Sequence, residues 1–209
     1  LSKHLRDLNP VFRMTSVQAH RGPDGAGHAL FSGDGTPLLF RERPNAPEMR
    51  AGRLALGHRR LAIIDCTDAG HQPMSYAGGR YWITYNGEIY NYRESRDELR
   101  ARGCTFHSES DTEVILAAYA TWGTSCFARF NGMWALAIWD VSEQRLLLSR
   151  DRFGIKPLHF RVQGGSLWFS SEIKGLLAGM AEPVKANDQI VYDYLVHGTV
   201  NASDETFFD

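Results

Sequence analysis

The run Tyr81-Trp82-Ile83-Thr84-Tyr85-Asn86-Gly87-Glu88 carries an aromatic, β-branched stretch into an amide, a glycine and a carboxylate. Asn-Gly at the end of a strand is commonly no more than a turn. Its chemical reading is an oxyanion hole, in which Asn86 offers a side-chain amide N–H and Gly87 an unhindered backbone N–H where negative charge develops in acyl transfer. Glu88 beside a row of aromatics is odd for a plain turn. Arg59-Arg60 interrupt the apolar run 54–64. An arginine so placed snorkels, pairs with a nearby carboxylate, or clamps a substrate carboxylate with its fork of donors. Asp111 follows Ser110 at a helix start, where the helix dipole favours an anion whatever the function. With Arg60, the carboxylates of Glu88 and Asp111 make two anions and one cation, the set that recognises the ammonium and carboxylate of an α-amino acid.

Other candidates read as structural. His20-Arg21-Gly22-Pro23-Asp24-Gly25-Ala26-Gly27 has neither the spacing nor the lysine of a phosphate-binding loop and is expected to be a turn. The eight histidines include no His-x-x-x-His pair, so no metal is expected. Cys66, Cys104 and Cys126 have no base beside them in the sequence and read as small buried or half-exposed thiols.

The elements that must position these groups are mostly short strands, expected over 54–64, 81–85, 134–139, 145–149, 158–162 and 167–170 from aromatic and β-branched content or period-two alternation. Gly164-Gly165 turns the chain between the last two, and 141–144 between the preceding pair. Asn91 is expected to cap a helix over 92–102, with Glu94 at the capping-box position and Gly103 as its left-handed end. Ser110 and Glu113 suggest a second box for 112–122, whose Ile115, Ala118, Tyr119 and Trp122 share a face. Further helices are expected over 172–178 and 188–196. Hairpins outnumber crossovers, so the fold class is α+β: one domain of antiparallel sheets covered by helices.

Composition narrows the function. At 209 residues and 43% hydrophobic, the chain can bury a sizeable core. Its 23 Lys plus Arg against 24 Asp plus Glu give a net charge of −1, which offers no general attraction to nucleic acid or anionic membrane. The longest apolar run, 133–139, falls far short of the ~18 residues of a membrane span. An odd cysteine count without paired spacing argues against disulfides and for a reducing, cytoplasmic setting. The chain opens at Leu1 without methionine and stops at Phe207-Phe208-Asp209 without a cap, so a piece of something longer is expected.

Eight stretches in order carry a resemblance. They are His20-Arg21-Gly22-Pro23-Asp24-Gly25, Gly57-His58-Arg59-Arg60-Leu61-Ala62-Ile63-Ile64-Asp65, Gly70-His71-Gln72-Pro73-Met74, Tyr85-Asn86-Gly87-Glu88-Ile89-Tyr90-Asn91-Tyr92-Arg93, Ser110-Asp111-Thr112-Glu113-Val114-Ile115-Leu116, Phe130-Asn131-Gly132-Met133, Arg150-Asp151-Arg152-Phe153-Gly154-Ile155-Lys156-Pro157-Leu158 and Ser171-Glu172-Ile173-Lys174. The chain resembles, over essentially its whole length, the glutaminase domain of asparagine synthetase-type class II glutamine amidotransferases, which are N-terminal-nucleophile hydrolases. The runs around Asn86 and from 150 to 158 look more like asparagine synthetase than like the amidotransferases of purine or glucosamine synthesis.

The resemblance implies an αββα sandwich in which an N-terminal cysteine attacks the side-chain amide of glutamine. The cysteine's α-amino group, with a pKa of about 7.7–8.0, would serve as base near neutrality. Carried over by motif, Asn86 and Gly87 match the oxyanion hole, Arg60 the α-carboxylate clamp, and Glu88 and Asp111 the groups that take the α-ammonium. Leu61 and Ile63 match positions lining that pocket through backbone groups. The family's cysteine stands ahead of the segment equivalent to residues 1–18, Leu1 is no nucleophile, and Cys66, Cys104 and Cys126 match no catalytic position. Either a preceding segment supplies the cysteine, or the chain is a structural or glutamine-binding module like the cysteine-less domain of β-lactam synthetase. The resemblance further implies that 204–209 leads into an ATP-dependent synthetase domain of the same polypeptide. ATP and Mg are expected there and no cofactor here; the ammonia acceptor, aspartate or another, is not visible. A homodimer is compatible with it, and neither nucleic acid nor membrane is an expected partner.

Overall fold

The computed structural model describes residues 5–33, 36–42, 51–180, 183–199 and 205–208. Leu1 and both ends of the 204–209 segment lie outside them. In chain order the elements are β1 (Arg6–Asp7), α1 (Pro10–Ser16), β2 (Gly25–Phe31), β3 (Pro37–Phe40), β4 (Ala51–Gly52), β5 (Leu54–Arg60), β6 (Met74–Tyr76), β7 (Tyr81–Ile89), α2 (Tyr92–Ala101), α3 (Asp111–Trp122), β8 (Gly132–Asp140), β9 (Arg145–Arg150), β10 (His159–Gln163), β11 (Ser166–Ser170), α4 (Ile173–Gly179) and α5 (Asp188–His197). Short 3-10 turns stand at Ala19–Arg21, Asp68–Gly70 and Gly123–Arg129. The named strands pair antiparallel, in the orders β3-β2-β5, β6-β7-β8-β9, β10-β11 and β1-β4.

Side-chain alternation sorts these strands into layers. Tyr81, Ile83, Tyr85 and Ile89 of β7 join Trp134, Leu136 and Ile138 of β8 in a core with Leu99 of α2 and Val114, Ile115 and Ala118 of α3. The opposite faces of the same two strands, with Trp82, Ala137 and Trp139, meet Ala29 and Phe31 of β2 and Leu54 and Leu56 of β5. Leu30, on the far side of β2, packs with Leu8, Val11 and Phe12 under α1. The order is helices, sheet, sheet, helix, which is the αββα arrangement of the expected α+β class. These layers belong to one compact unit, Leu1–Gly179. Met180–Asp209 forms a second, in which Asn187 caps α5 through Oδ1 to the Ile190 N–H and Gly198 ends it at φ +66°.

Several expectations need correction. Asn86-Gly87 is not a turn: β7 continues through it to Ile89, with Asn86 opposite Ala135 and Gly87 opposite Trp134. The glycine answers to close strand approach, because a Cβ there would run into the Met133 carbonyl oxygen. Gly25-Ala26-Gly27 likewise belongs to β2 rather than to a turn. β5 ends at Arg60 and not at 64, and beyond it the Ala62 N–H donates to Asp24 Oδ2 at 2.9 Å. Asn91 does not cap α2; its Nδ2 donates to Arg129 O at 3.0 Å and its Oδ1 accepts from Asn131 N at 2.9 Å. Ser110 does cap α3, accepting from Thr112 N at 3.1 Å, but Glu113 turns away to accept from the backbone N–H groups of His107 and Ser108. The hairpins at 141–144 and Gly164-Gly165 form as expected, the latter with φ of +57° and +74°.

Candidate active site

A cavity of about 360 Å³ takes in Arg60, Leu61, Ile63, Asn86, Gly87, Glu88 and Asp111, so all seven residues singled out from the sequence line one space. Alternation explains the convergence. Leu54 and Leu56 of β5 face the other sheet, and His58 and Arg60 keep their parity. Trp82 of β7 faces the same gap, and Thr84, Asn86 and Glu88 follow it. Thr84 Oγ1 ties the sheets beside the cavity, donating to Gly57 O at 3.2 Å and lying 3.3 Å from His58 Nδ1. The half-buried His58 imidazole is pushed down to about 3, by desolvation first and then by His71, Arg60 and Arg59. Arg59, one residue out of phase with Arg60, donates through Nε to Gly22 O at 3.1 Å.

The wall formed by β7 and α3 is rich in directed donors. Asn86 Nδ2 is a buried amide group with no hydrogen-bond acceptor among the described residues. Tyr85 N donates to Gln72 Oε1 at 2.7 Å and Ile89 N to Asp111 Oδ2 at 2.9 Å, so these odd-numbered N–H groups point to the β7 edge away from β8. By the same alternation the Gly87 N–H points to that edge, between them. Asp111 is the first residue of α3 and only 4% exposed, and its Oδ2 also accepts from Tyr85 Oη at 2.8 Å. Burial pushes its carboxyl above the ordinary value, with Glu88 adding to the effect and hydrogen bonds from Ile89, Tyr85 and Thr112 opposing it. The Tyr85 phenol is raised well above its usual range by burial and by the Asp111 charge.

The opposite wall is a loop. Arg60 Nη2 donates to the carbonyl oxygens of Asp65 and Thr67, the latter at 2.8 Å, which fixes the guanidinium beside the cavity. Leu61 and Ile63 are 55% and 68% exposed, and they lie along its rim.

Sequence reasoning missed Gln72, Tyr85 and Lys156, which also line the cavity. Gln72 bolts β7 to the start of α3, since its Nε2 donates to Thr112 Oγ1 at 3.3 Å. Lys156 is placed by Asp151, whose carboxylate accepts the backbone N–H groups of Trp134, Phe153, Ile155 and Lys156 at 2.9–3.2 Å. Their only signal was membership of the Gly70-to-Met74, Tyr85-to-Arg93 and Arg150-to-Leu158 stretches. None of the three cysteines lines the cavity; Cys66 is exposed, Cys104 half-buried, and burial pushes the Cys126 thiol up to about 12. Among the described residues there is no group of three or more His, Cys, Asp or Glu able to hold a metal ion, and no helix is long and apolar enough to cross a membrane.

Known proteins share this architecture. The glutamine amidotransferase domain family matches residues 45–209. Asparagine synthetase [glutamine-hydrolyzing] 3 of Bacillus subtilis is 40% identical over 181 residues, covering 83% of this chain and 25% of that protein. A putative asparagine synthetase [glutamine-hydrolyzing] of Mycobacterium tuberculosis H37Rv is 39% identical over 197 residues, covering 91% of this chain and 27% of that one. The chain thus spans about a quarter of the length of these relatives. The solved glutamine PRPP amidotransferase of B. subtilis, complexed with ADP and GMP, superposes with a TM-score of 0.66 at 22% identity, over 81% of this chain and 40% of its own.

Proposed function

The chain belongs to the glutamine amidotransferase domain family, and on that premise we propose that its cavity hydrolyses the side-chain amide of glutamine to glutamate and ammonia. The observation that carries the reading is the buried Asn86 Nδ2 without an acceptor among the described residues, beside a glycine whose N–H points to the same strand edge as Asp111. A buried donor left unpaired costs free energy in the resting protein. A forming oxyanion recovers it, and two preorganised donors lower the barrier to acyl transfer.

In this reading a thiol gives its proton to the α-amino group of its own residue and attacks the amide carbon, the carbonyl oxygen takes the Asn86 and Gly87 donors, that amine returns the proton to the nitrogen leaving as ammonia, and water cleaves the thioester to glutamate and the free thiol. The thiol comes from outside the cavity's own cysteine-free lining, as the N-terminal cysteine of the resemblance would. Arg60 holds the α-carboxylate, Glu88 and Asp111 take the α-ammonium, and Leu61 and Ile63 close the rim. The ammonia passes to an ATP- and Mg-using synthetase segment of the same polypeptide in the cytoplasm; of this, the synthetase segment is supported by the names and the greater length of the relatives.

The test is Asn86→Ala in the complete gene product, followed by ammonia release from glutamine. The kcat is expected to fall by about 10²–10³, the loss of one oxyanion donor. An unchanged kcat removes Asn86 from the role. Tight glutamine binding by the wild type without any ammonia release would favour the cysteine-less binding module instead.

A further inference from the structure

Asp65 lies outside the oxyanion pair and outside the groups assigned to glutamine, yet it joins the two ends of the amino-acid subsite. Its Oδ1 accepts from Thr67 N at 2.8 Å and Thr67 Oγ1 at 2.6 Å, and its Oδ2 accepts from Glu109 N at 3.0 Å. Its own carbonyl oxygen accepts from Arg60 Nη2, the same nitrogen that donates to Thr67 O. The corner is tight, since a Cβ on Gly70 would crowd both Arg60 Nη2 and Asp65 O.

On the far side, Glu109 pairs with the buried Arg96, whose Nη2 donates to Ser110 O at 3.0 Å. Ser110 caps α3, and Asp111 is the first residue of that helix. A continuous series of hydrogen bonds therefore runs from the Arg60 guanidinium through the Asp65 side chain to the helix start that holds Asp111. The loop 61–67 has no ladder pairing of its own, and the Asp65 carboxylate ties it to the α3 side through Glu109 N.

We propose that Asp65 is a positioning residue that fixes the separation between the α-carboxylate clamp Arg60 and the α-ammonium acceptor Asp111, and so sets the pocket's selectivity for the L-enantiomer of an α-amino acid amide. The proposal rests on the glutaminase reading above. Two partners at a fixed separation fit either enantiomer, but with the side-chain amide held at Asn86 and Gly87 the carboxylate and ammonium partners complete three fixed points around the stereocentre, and only then is one enantiomer preferred.

An asparagine at this position has the same shape but only one acceptor, and its NH₂ must face either the Thr67 donors or Glu109 N. Calorimetric titration of the complete gene product with L-glutamine, D-glutamine and glutaramate, which lacks the α-amino group, reads the effect. In Asp65→Asn the affinity for L-glutamine is expected to fall about 10- to 100-fold, as when a hydrogen bond to a charged group is lost. Its preference over D-glutamine and over glutaramate should collapse with it. Thr67→Ala, which removes one of the three donors to Asp65, should lie between wild type and Asp65→Asn, and it decides the matter if the latter does not fold. Unchanged L-to-D and L-glutamine-to-glutaramate ratios, even with weaker binding or a lower Tm, would overturn the positioning role and leave Asp65 a loop fastener. A wild type that does not bind L-glutamine at all would overturn the glutaminase reading itself.

Discussion

Two walls face each other across the cavity and are held by different forces. On the β7–α3 side, Asn86, Gly87 and Asp111 sit on elements whose other faces are sunk in the main core with Tyr85, Ile89, Val114 and Ile115. On the β5 side, Arg60 stands at the last residue of its strand, and Leu61 and Ile63 follow in an exposed segment fastened by a few hydrogen bonds. The first wall is rigid because moving it would expose apolar surface; the second is set by donors and acceptors that water can replace. Groups that must meet a transition state within tenths of an ångström belong on the first, and groups that choose the substrate can be carried by the second.

The comparison can be broken most forcefully at Gly87. Its replacement by alanine forces a Cβ against the Met133 carbonyl and Tyr85 Cε2, and is expected to destabilise the protein by about 1–3 kcal/mol while also disturbing the backbone donor. Denaturant melts should show it, and a variant as stable as wild type would mean that this wall yields after all. Arg60→Ala should do the reverse. Stability should fall by no more than about 0.5–1.5 kcal/mol, the net worth of hydrogen bonds that water can replace. KM for glutamine should rise about tenfold or more relative to simple amides, the loss of a charge-assisted pair. If the variant discriminates between glutamine and simple amides as well as wild type does, the clamp belongs elsewhere.

The smallest and most telling effect is expected at Asp111. Its carboxyl is raised by burial above 3.8, so the folded protein holds a proton that the unfolded chain has lost, and stability declines as pH rises from 3.8 through the raised value. Asp111→Asn removes that penalty and keeps an acceptor for Tyr85 and Ile89. Its Tm should exceed that of wild type at neutral pH, with the gap closing as pH falls toward 3.8, and glutamine binding should weaken. A variant less stable than wild type at neutral pH would show that ionised Asp111 is a structural asset of the helix start rather than a functional cost.

The two walls also differed in how far the sequence disclosed them. The aromatic run 81–85 and the Ser110 cap of α3 are local patterns, and they mark the body of β7 and the position of Asp111 without help. The same local logic called Asn86-Gly87 a turn, because what keeps it extended is a partner strand some fifty residues away, pairing Gly87 with Trp134. On the other side, the apolar run 54–64 reads as one strand, and its end at Arg60 is marked by a side chain, Asp24, that no pattern near residue 62 announces. The hydrogen bonds of Asp65 and Gln72 are likewise links between distant segments. β2 was hidden because Gly25 and Gly27 bring no side chains to alternate, and α1 because seven residues carry too little periodicity, although Pro10 at its first turn is a helix-start signal.

The strict parity of β7 has one more consequence, for how such a chain can change over time. Inserting or deleting a single residue between Tyr81 and Asn86 would exchange its faces, driving the amide into the packed core and pulling Tyr81 and Ile83 out of it. Mutational drift in this strand can therefore proceed by substitution alone. Gains and losses of length are better borne at the exposed turns, such as Val141 to Gln144 and Gly164-Gly165, where added residues can stay outside the ladder.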